Sequence, residues 1–583
     1  MKFNLRILAL LIAVLMVLTS CEATLGSILE MIPELGIVNT TTTTTTTKWK
    51  PKPTTTTTTT TGKVEDDTPK FNRADVSTTK EELIAQFTLT QEEIDATMAL
   101  LDSMVDAALN SDSIEEVDAL YESFEEKFYH LAQQMTLASI IYYCDMDDPE
   151  ASERYESTTD MFYDLQDKYM VSCRTMYLES KFSAELFEGW SEEELKSLEE
   201  YDPAVTELKK EIKELEMQFD ALEYSWYNHG EEVTDQVTEI YVKMVTKNNE
   251  LARYYGYDNY YDYATENVYG RDYTAEDLAS FREYVINYIG ANRGAVSDAA
   301  DNVSSLKEWR RKAIQEFNNS KFDETKTNYL LNYLNSLEGA MGDGMRHMFE
   351  NKNCVFSNIG TSHPTAFQTY LYEDEKPFCL FGSTGQSATT MVHEIGHYYA
   401  AYSNADIDNY DLCETHSQGN EFLFVKYCES ELDSQVYTAI KSGQLGDTYT
   451  TILASTIIDA FEQRIYSLDS VEGMTTEDFD AIMNEVLAPF GNASSITDFT
   501  VYWRLVAVSN PVYYISYAVS AVAALEICAL AEEDYDAALT AYNALVDGIT
   551  PEDGFLGALE KAGLTSPFEE ETYISINNNL VNK

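Results

Sequence analysis

A mainly α-helical protein with one small β-sheet beside its chemistry-bearing helix is what this sequence predicts. Three observations carry that reading. Val205, Leu208, Ile212, Leu215, Phe219 and Leu222 recur at alternating steps of three and four, the apolar seam of a long amphipathic helix that starts just after Pro203. Proline is scarce, twelve in 583 residues, and two of those (Pro51 and Pro53) sit in one linker, which suits long uninterrupted helices. Strand-like stretches are few: residues 377–381, closed by Gly382, Ser383, Thr384 and Gly385, and residues 366–370. A chain of 583 residues exceeds one compact core, so two lobes or two packed helical halves are expected. Apolar residues at 44% and aromatics at 12% are enough to bury a real core, which excludes general disorder.

Charge narrows the partners. The formal net charge is −61, and the first 63 residues hold six Lys/Arg against three acids, so the acidity belongs to the remainder. Such a field repels phosphate backbones and excludes nucleic acid. It either keeps a secreted protein soluble or draws cationic peptides.

The elements are taken in chain order. Lys2 and Arg6 precede an apolar run over residues 7–18, too short to span a bilayer as an ordinary helix and typical of a signal-peptide core. It ends in Leu18, Thr19, Ser20 and Cys21, which resembles the bacterial lipobox. The resemblance implies a signal peptide over residues 1–20, lipidation of Cys21, and attachment to the outer face of a bacterial cell membrane by several hydrocarbon tails. A plain signal peptide is the alternative. Residues 21–75 then form the anchor and a linker: unbroken threonine tracts at 40–47 and 54–61 flank a Lys/Trp/Pro segment. A tract with no apolar period cannot bury anything, and at about 3.1 Å per residue the stretch from Asn39 to Lys63 reaches roughly 75 Å. Residues 76–340 are expected to form a helical half and 341–583 the half that carries the chemistry. Apart from Cys21, seven scattered cysteines and no CxxC pair exclude a disulfide framework and a cysteine zinc ribbon.

The informative segment is Val392, His393, Glu394, Ile395, Gly396, His397, an H-E-x-x-H motif that comes after the 377–381 strand, read as an edge strand, by a short loop. On a helix His393 and His397 lie one turn apart on one face, so both imidazoles can reach one zinc at about 2 Å. Glu394 stands beside them, placed to take a proton from water. A catalytic zinc needs three protein ligands and one open position. The third is His416 or a carboxylate from the segment 411–421, which holds Asp411, Glu414 and Glu421.

H-E-x-G-H followed by E-x-x-S-x-x-x-E on a second helix resembles the gluzincin-type zinc peptidases of the oligoendopeptidase F and thimet oligopeptidase group. The resemblance implies that Glu414 is the third ligand and that Glu421 supports the site. His416, two residues on, lies on another helix face. Ser417 and Gln418 are expected to bond the far nitrogens of the histidines. Leu251 to Tyr260 is similar to a stretch of the same family's helical half, and Pro511 to Ala518 to its tyrosine segment, so that the likeness covers roughly residues 76–575. In that segment two phenols spaced by three point at the scissile carbonyl, which implies Tyr514 and Tyr517; Tyr513 packs or lines the cleft. Residues 362–367 resemble the strand with which peptidyl-dipeptidases of the broader fold pair substrate backbone. That implies substrate contacts at Ala366 and at His363, although a turn histidine before Pro364 fits His363 as well.

The likeness further implies one Zn²⁺ per chain, a deep channel between helical halves, short peptides as substrates, and a monomer. Two departures stand out. Glu414 follows His397 by only 17 positions, and no histidine comes after His416, where relatives carry one before the tyrosines. A carboxypeptidase or dipeptidyl carboxypeptidase of the same fold, and a non-catalytic surface peptide binder, are the alternatives.

Overall fold

The computed structural model describes residues 73–581, except 191, 200, 203, 230, 231, 322–326, 404–408 and 509. The signal peptide, Cys21 and the threonine tracts therefore lie outside the described residues.

Three long helices open the fold: α1 (Gln91–Asn110), α2 (Ile114–Cys144) and α3 (Pro149–Glu179). Their starts reflect local chemistry. Thr90 and Glu93 close a capping box on α1, and Asp148 caps α3 with Pro149 in its first turn. Leu101, Phe124, Phe128, Phe162 and Tyr169 interlock these helices in a core of their own. The apolar seam expected around residues 205–222 is present as α4 (Ala204–His229), which packs on α5 (Thr234–Tyr254). Val205, Leu208, Ile212, Leu215 and Phe219 are all buried along it. Their core is the largest in the molecule and runs on to Ile576, across residue 340.

The sheet has three strands in the order β1-β3-β2: β1 (Cys354–Phe356), β2 (Ala366–Leu371) and β3 (Lys376–Phe381). β3 pairs in parallel with β1 and antiparallel with β2. The 377–381 stretch is thus central rather than an edge, because the three-residue β1, too short to show a period in sequence, occupies its far side. Thr78 bridges Val355 beyond β1, so β2 is the edge that pairs on one side only among the described residues. Alternation sorts β3 between two cores: Phe378 and Leu380 face Leu137, Ile140 and Tyr143 of α2, whereas Cys379 and Phe381 join the large core.

Four helices complete the centre: α6 (Ala388–Ser403), α7 (Tyr410–Tyr427), α8 (Ser434–Tyr466) and α9 (Ile515–Glu533). α9 is long and apolar enough to cross a membrane by length and composition, yet it is a core helix, packed on α7 and α8. The approach of α6 to α7 depends on Gly396. A Cβ there would lie 2.6 Å from the His416 carbonyl oxygen and 2.8 Å from Ser417 Cα. All seven cysteines of the described residues are free, as their scatter implied.

Candidate metal centre

His393 and His397 sit on one face of α6, and Glu414 faces them from α7. All three are buried. The two Nε2 atoms are 3.2 Å apart, and Glu414 Oε2 lies 3.7 Å from His393 Nε2 and 3.9 Å from His397 Nε2. A point equidistant from these three atoms is about 2.1 Å from each, the length of a zinc–imidazole or zinc–carboxylate bond. The donor set therefore fits a divalent metal in size as well as in kind, and the gap between the helices, held by Gly396, decides that size.

The surrounding bonds set each ligand's orientation. Glu421, on α7, takes a 2.7 Å bond from His393 Nδ1, which leaves the lone pair of Nε2 for the metal. Burial alone would lower the His393 pKa, but that bond and the nearby Glu394 and Glu414 carboxylates hold it up at about 9. Burial and His393 together push His397 well below its ordinary value. Glu414 is held at both oxygens: Tyr513 donates to Oε1 at 2.7 Å, and Ser417 donates to Oε2 at 3.1 Å. Beside them Glu394 is buried, with Oε2 lacking a hydrogen-bond partner. Burial raises its pKa to about 8, against the pull of His393 and with the push of Glu414. A carboxyl group so placed exchanges a proton near neutrality.

Several residues expected from the sequence land differently. Ser417 bonds Glu414, and Gln418 donates to Ser520 Oγ at 3.1 Å; the far nitrogen of His393 is bonded by Glu421 instead. The reason is phase: Glu421 is two turns beyond Glu414 and so returns to the same face of α7. His416 points away and bonds the Leu545 carbonyl at 2.9 Å, outside the ligand group. His363 packs edge-on against Tyr143 and Phe367, with Nδ1 3.1 Å from Thr365 Oγ1, which is the turn-histidine arrangement. Ala366 opens β2, paired with Phe381. Tyr513, expected to pack or line the cleft, is the phenol bonded to Glu414, while Tyr514 and Tyr517 join it in one aromatic cluster with ring centroids 5.2–6.2 Å apart. Tyr514 precedes α9 and Tyr517 lies in its first turn. Arg271, Tyr269 and Glu462, which grip the backbone just before these tyrosines, are not legible in the sequence as site residues; the one signal there is an acid, Glu462, inside the apolar run of α8.

No protein-family model matches the sequence, and no curated protein does. Solved structures do match. An oligoendopeptidase F is 18% identical over 86% of this chain and 98% of its own, with a TM-score of 0.64. An oligoendopeptidase F from Bacillus anthracis is 18% identical over 84% and 95%, with a TM-score of 0.63. PZ peptidase A, solved with an inhibitor, is 17% identical over 85% and 97%, with a TM-score of 0.62. The chain has the fold of oligoendopeptidase F and related peptidases, nearly end to end on their side.

Proposed function

We propose that this chain is a zinc metallopeptidase of the oligoendopeptidase kind, which hydrolyses short peptides. The observation that carries the reading is the buried triangle of His393, His397 and Glu414 with the unpartnered Oε2 of Glu394 at its side. His393 Nε2, His397 Nε2 and Glu414 Oε2 would hold the zinc. When bound there, zinc supplies Lewis acidity, which polarises a carbonyl and acidifies water.

The chain's own groups do the rest. Glu394 takes the proton of the attacking water and returns it to the amide nitrogen as the C–N bond breaks, and a pKa raised to about 8 suits both directions of transfer. Tyr514 and Tyr517 donate hydrogen bonds to the oxyanion that develops on the substrate carbonyl, an interaction stronger in the transition state than before it. Their burial in one aromatic cluster limits competing water. The substrate backbone adds as a strand to the edge of β2, beginning at Ala366, in a channel between the helical halves. By this reading the protein works outside the cell, anchored through lipid on Cys21 and raised on its threonine linker.

The test is incubation of purified protein with a pool of short peptides, with and without a chelator, read by mass spectrometry. Chelator-sensitive internal cleavage is expected. Glu394→Gln is expected to keep the metal and lose activity by about 10²–10⁴-fold. A Glu394→Gln variant that cleaves at the parental rate overturns the proposal. For the anchor, Cys21→Ser is expected to move the protein from the membrane fraction to the medium.

A further inference from the structure

The Glu414 ligand is held from outside the metal helices by Tyr513, and the backbone that presents Tyr513 is itself unusual. Val512 adopts φ +67°, a left-handed conformation that a β-branched residue avoids. It is buried, and three side chains from distant parts of the chain grip the turn around it. Glu462 Oε1, from α8, accepts from the Val512 backbone N–H at 2.8 Å. Arg271 Nη2 donates to the Val512 carbonyl at 2.7 Å, to Ser516 Oγ at 3.1 Å and to the Tyr513 carbonyl at 3.4 Å. Tyr269 donates through its hydroxyl to the Pro511 carbonyl at 2.8 Å, and the Arg271 guanidinium lies over the Tyr269 ring.

We propose that Arg271, Glu462 and Tyr269 form a positioning clamp that holds the Val512 turn in its left-handed conformation and thereby fixes Tyr513 against the Glu414 metal ligand. Each backbone polar group of the turn that the clamp engages is buried with it, so the bonds are made without competition from water. Nothing in the clamp touches the ligand atoms; it acts through Tyr513. Its absence would let the turn relax toward a negative φ and carry the phenol away from Glu414 Oε1. The inference rests on the metallopeptidase reading for its catalytic consequence only, since its effect on metal binding is separate.

A double-mutant cycle decides it. Zinc affinity is measured by competition with a chromophoric chelator, alongside kcat and KM on a quenched-fluorescent peptide, for Arg271→Gln, Tyr513→Phe and the pair. Arg271→Gln is expected to weaken zinc binding by about tenfold or more and to lower kcat with KM within about twofold. In the Tyr513→Phe background the same change should add less than about twofold, because its route is already cut. Adding Val512→Gly to Arg271→Gln should restore a large part of the lost affinity, since glycine adopts φ +67° without strain. If Arg271→Gln does not fold, Tyr269→Phe, which removes one hydroxyl, enters the same cycle. Independent, multiplying effects of the two positions, or an unchanged affinity, overturn the clamp. A parent protein that binds zinc yet cleaves no peptide overturns the peptidase reading and leaves the affinity cycle to judge the clamp.

Discussion

Replacing Glu421 with glutamine tests how the ligand His393 is prepared. Its carboxylate is 2.7 Å from His393 Nδ1 and makes the largest contribution that raises His393, to about 9 in the metal-free protein. Two opposing effects arise. The carboxylate makes Nε2 a stronger donor, and losing such a partner costs about 10–100-fold in metal affinity, about 1.4–2.7 kcal/mol. It also stabilises the proton that the metal must displace. With His393 at about 9, a wild-type site at pH 7 gives up about two log units of affinity to that proton. Wild-type zinc affinity should therefore climb about tenfold per pH unit from 7 to 9 and then level off. In Glu421→Gln the climb should end at lower pH, because the group that raises His393 is gone. The variant should bind about 10–100-fold more weakly above pH 9 and approach the wild type near pH 7. Chelator competition across pH 6.5–9.5 measures both curves. Parallel curves, or a variant that binds as tightly as the wild type at pH 9.5, would refute this account of the His393–Glu421 pair.

Further outcomes rest on the packing and the charges around the site. Gly396→Ala places a Cβ 2.6 Å from the His416 carbonyl and 2.8 Å from Ser417 Cα, both backbone, so α6 and α7 must separate. It should destabilise the fold by about 1–3 kcal/mol in denaturant titration and weaken zinc binding, because α7 carries Glu414. In metal-free protein the raised pKa of His393 adds stability that is complete below about pH 6.5 and is lost as pH rises through about 9. Thermal melts of apoprotein should show that loss, and Glu421→Gln should flatten it. His416 behaves in the opposite sense: burial lowers it to about 4, so stability is full above about pH 6.5 and falls as pH drops toward 4, by about 3 kcal/mol. A His416→Gln variant should lose that part of the acid sensitivity, compared with wild type by denaturant titration at pH 7 and pH 4.5.

Legibility in the sequence tracked the range of the physics. The α4 seam was readable because its apolar residues repeat within a single helix and all face one side. The pair His393 and His397 was readable because the helix itself brings residues four apart together. β1 was not, since three residues carry no period, and without it β3 looked like an edge. The tyrosines divided in the same way. Their clustering at 513–517 is local, but the one that bonds Glu414 depends on a left-handed turn at Val512 that no valine invites.

By itself the chain's order of residues determined the mainly helical class, the paired imidazoles with an acid beside them, and the acidic character of the chain. These are properties of spacing and composition, and they need no partner from elsewhere in the chain. Only the tertiary structure decided that Glu414 completes the triangle, that Glu421 and not Ser417 or Gln418 bonds His393 Nδ1, and that His416 bonds the Leu545 carbonyl outside the ligand group. Those choices rest on how closely α7 can approach α6 at Gly396 and on what α8 and Arg271 do to a turn about 50 and 240 residues away in sequence. Contacts of that range are set by the packing of the whole core, which no window of sequence contains.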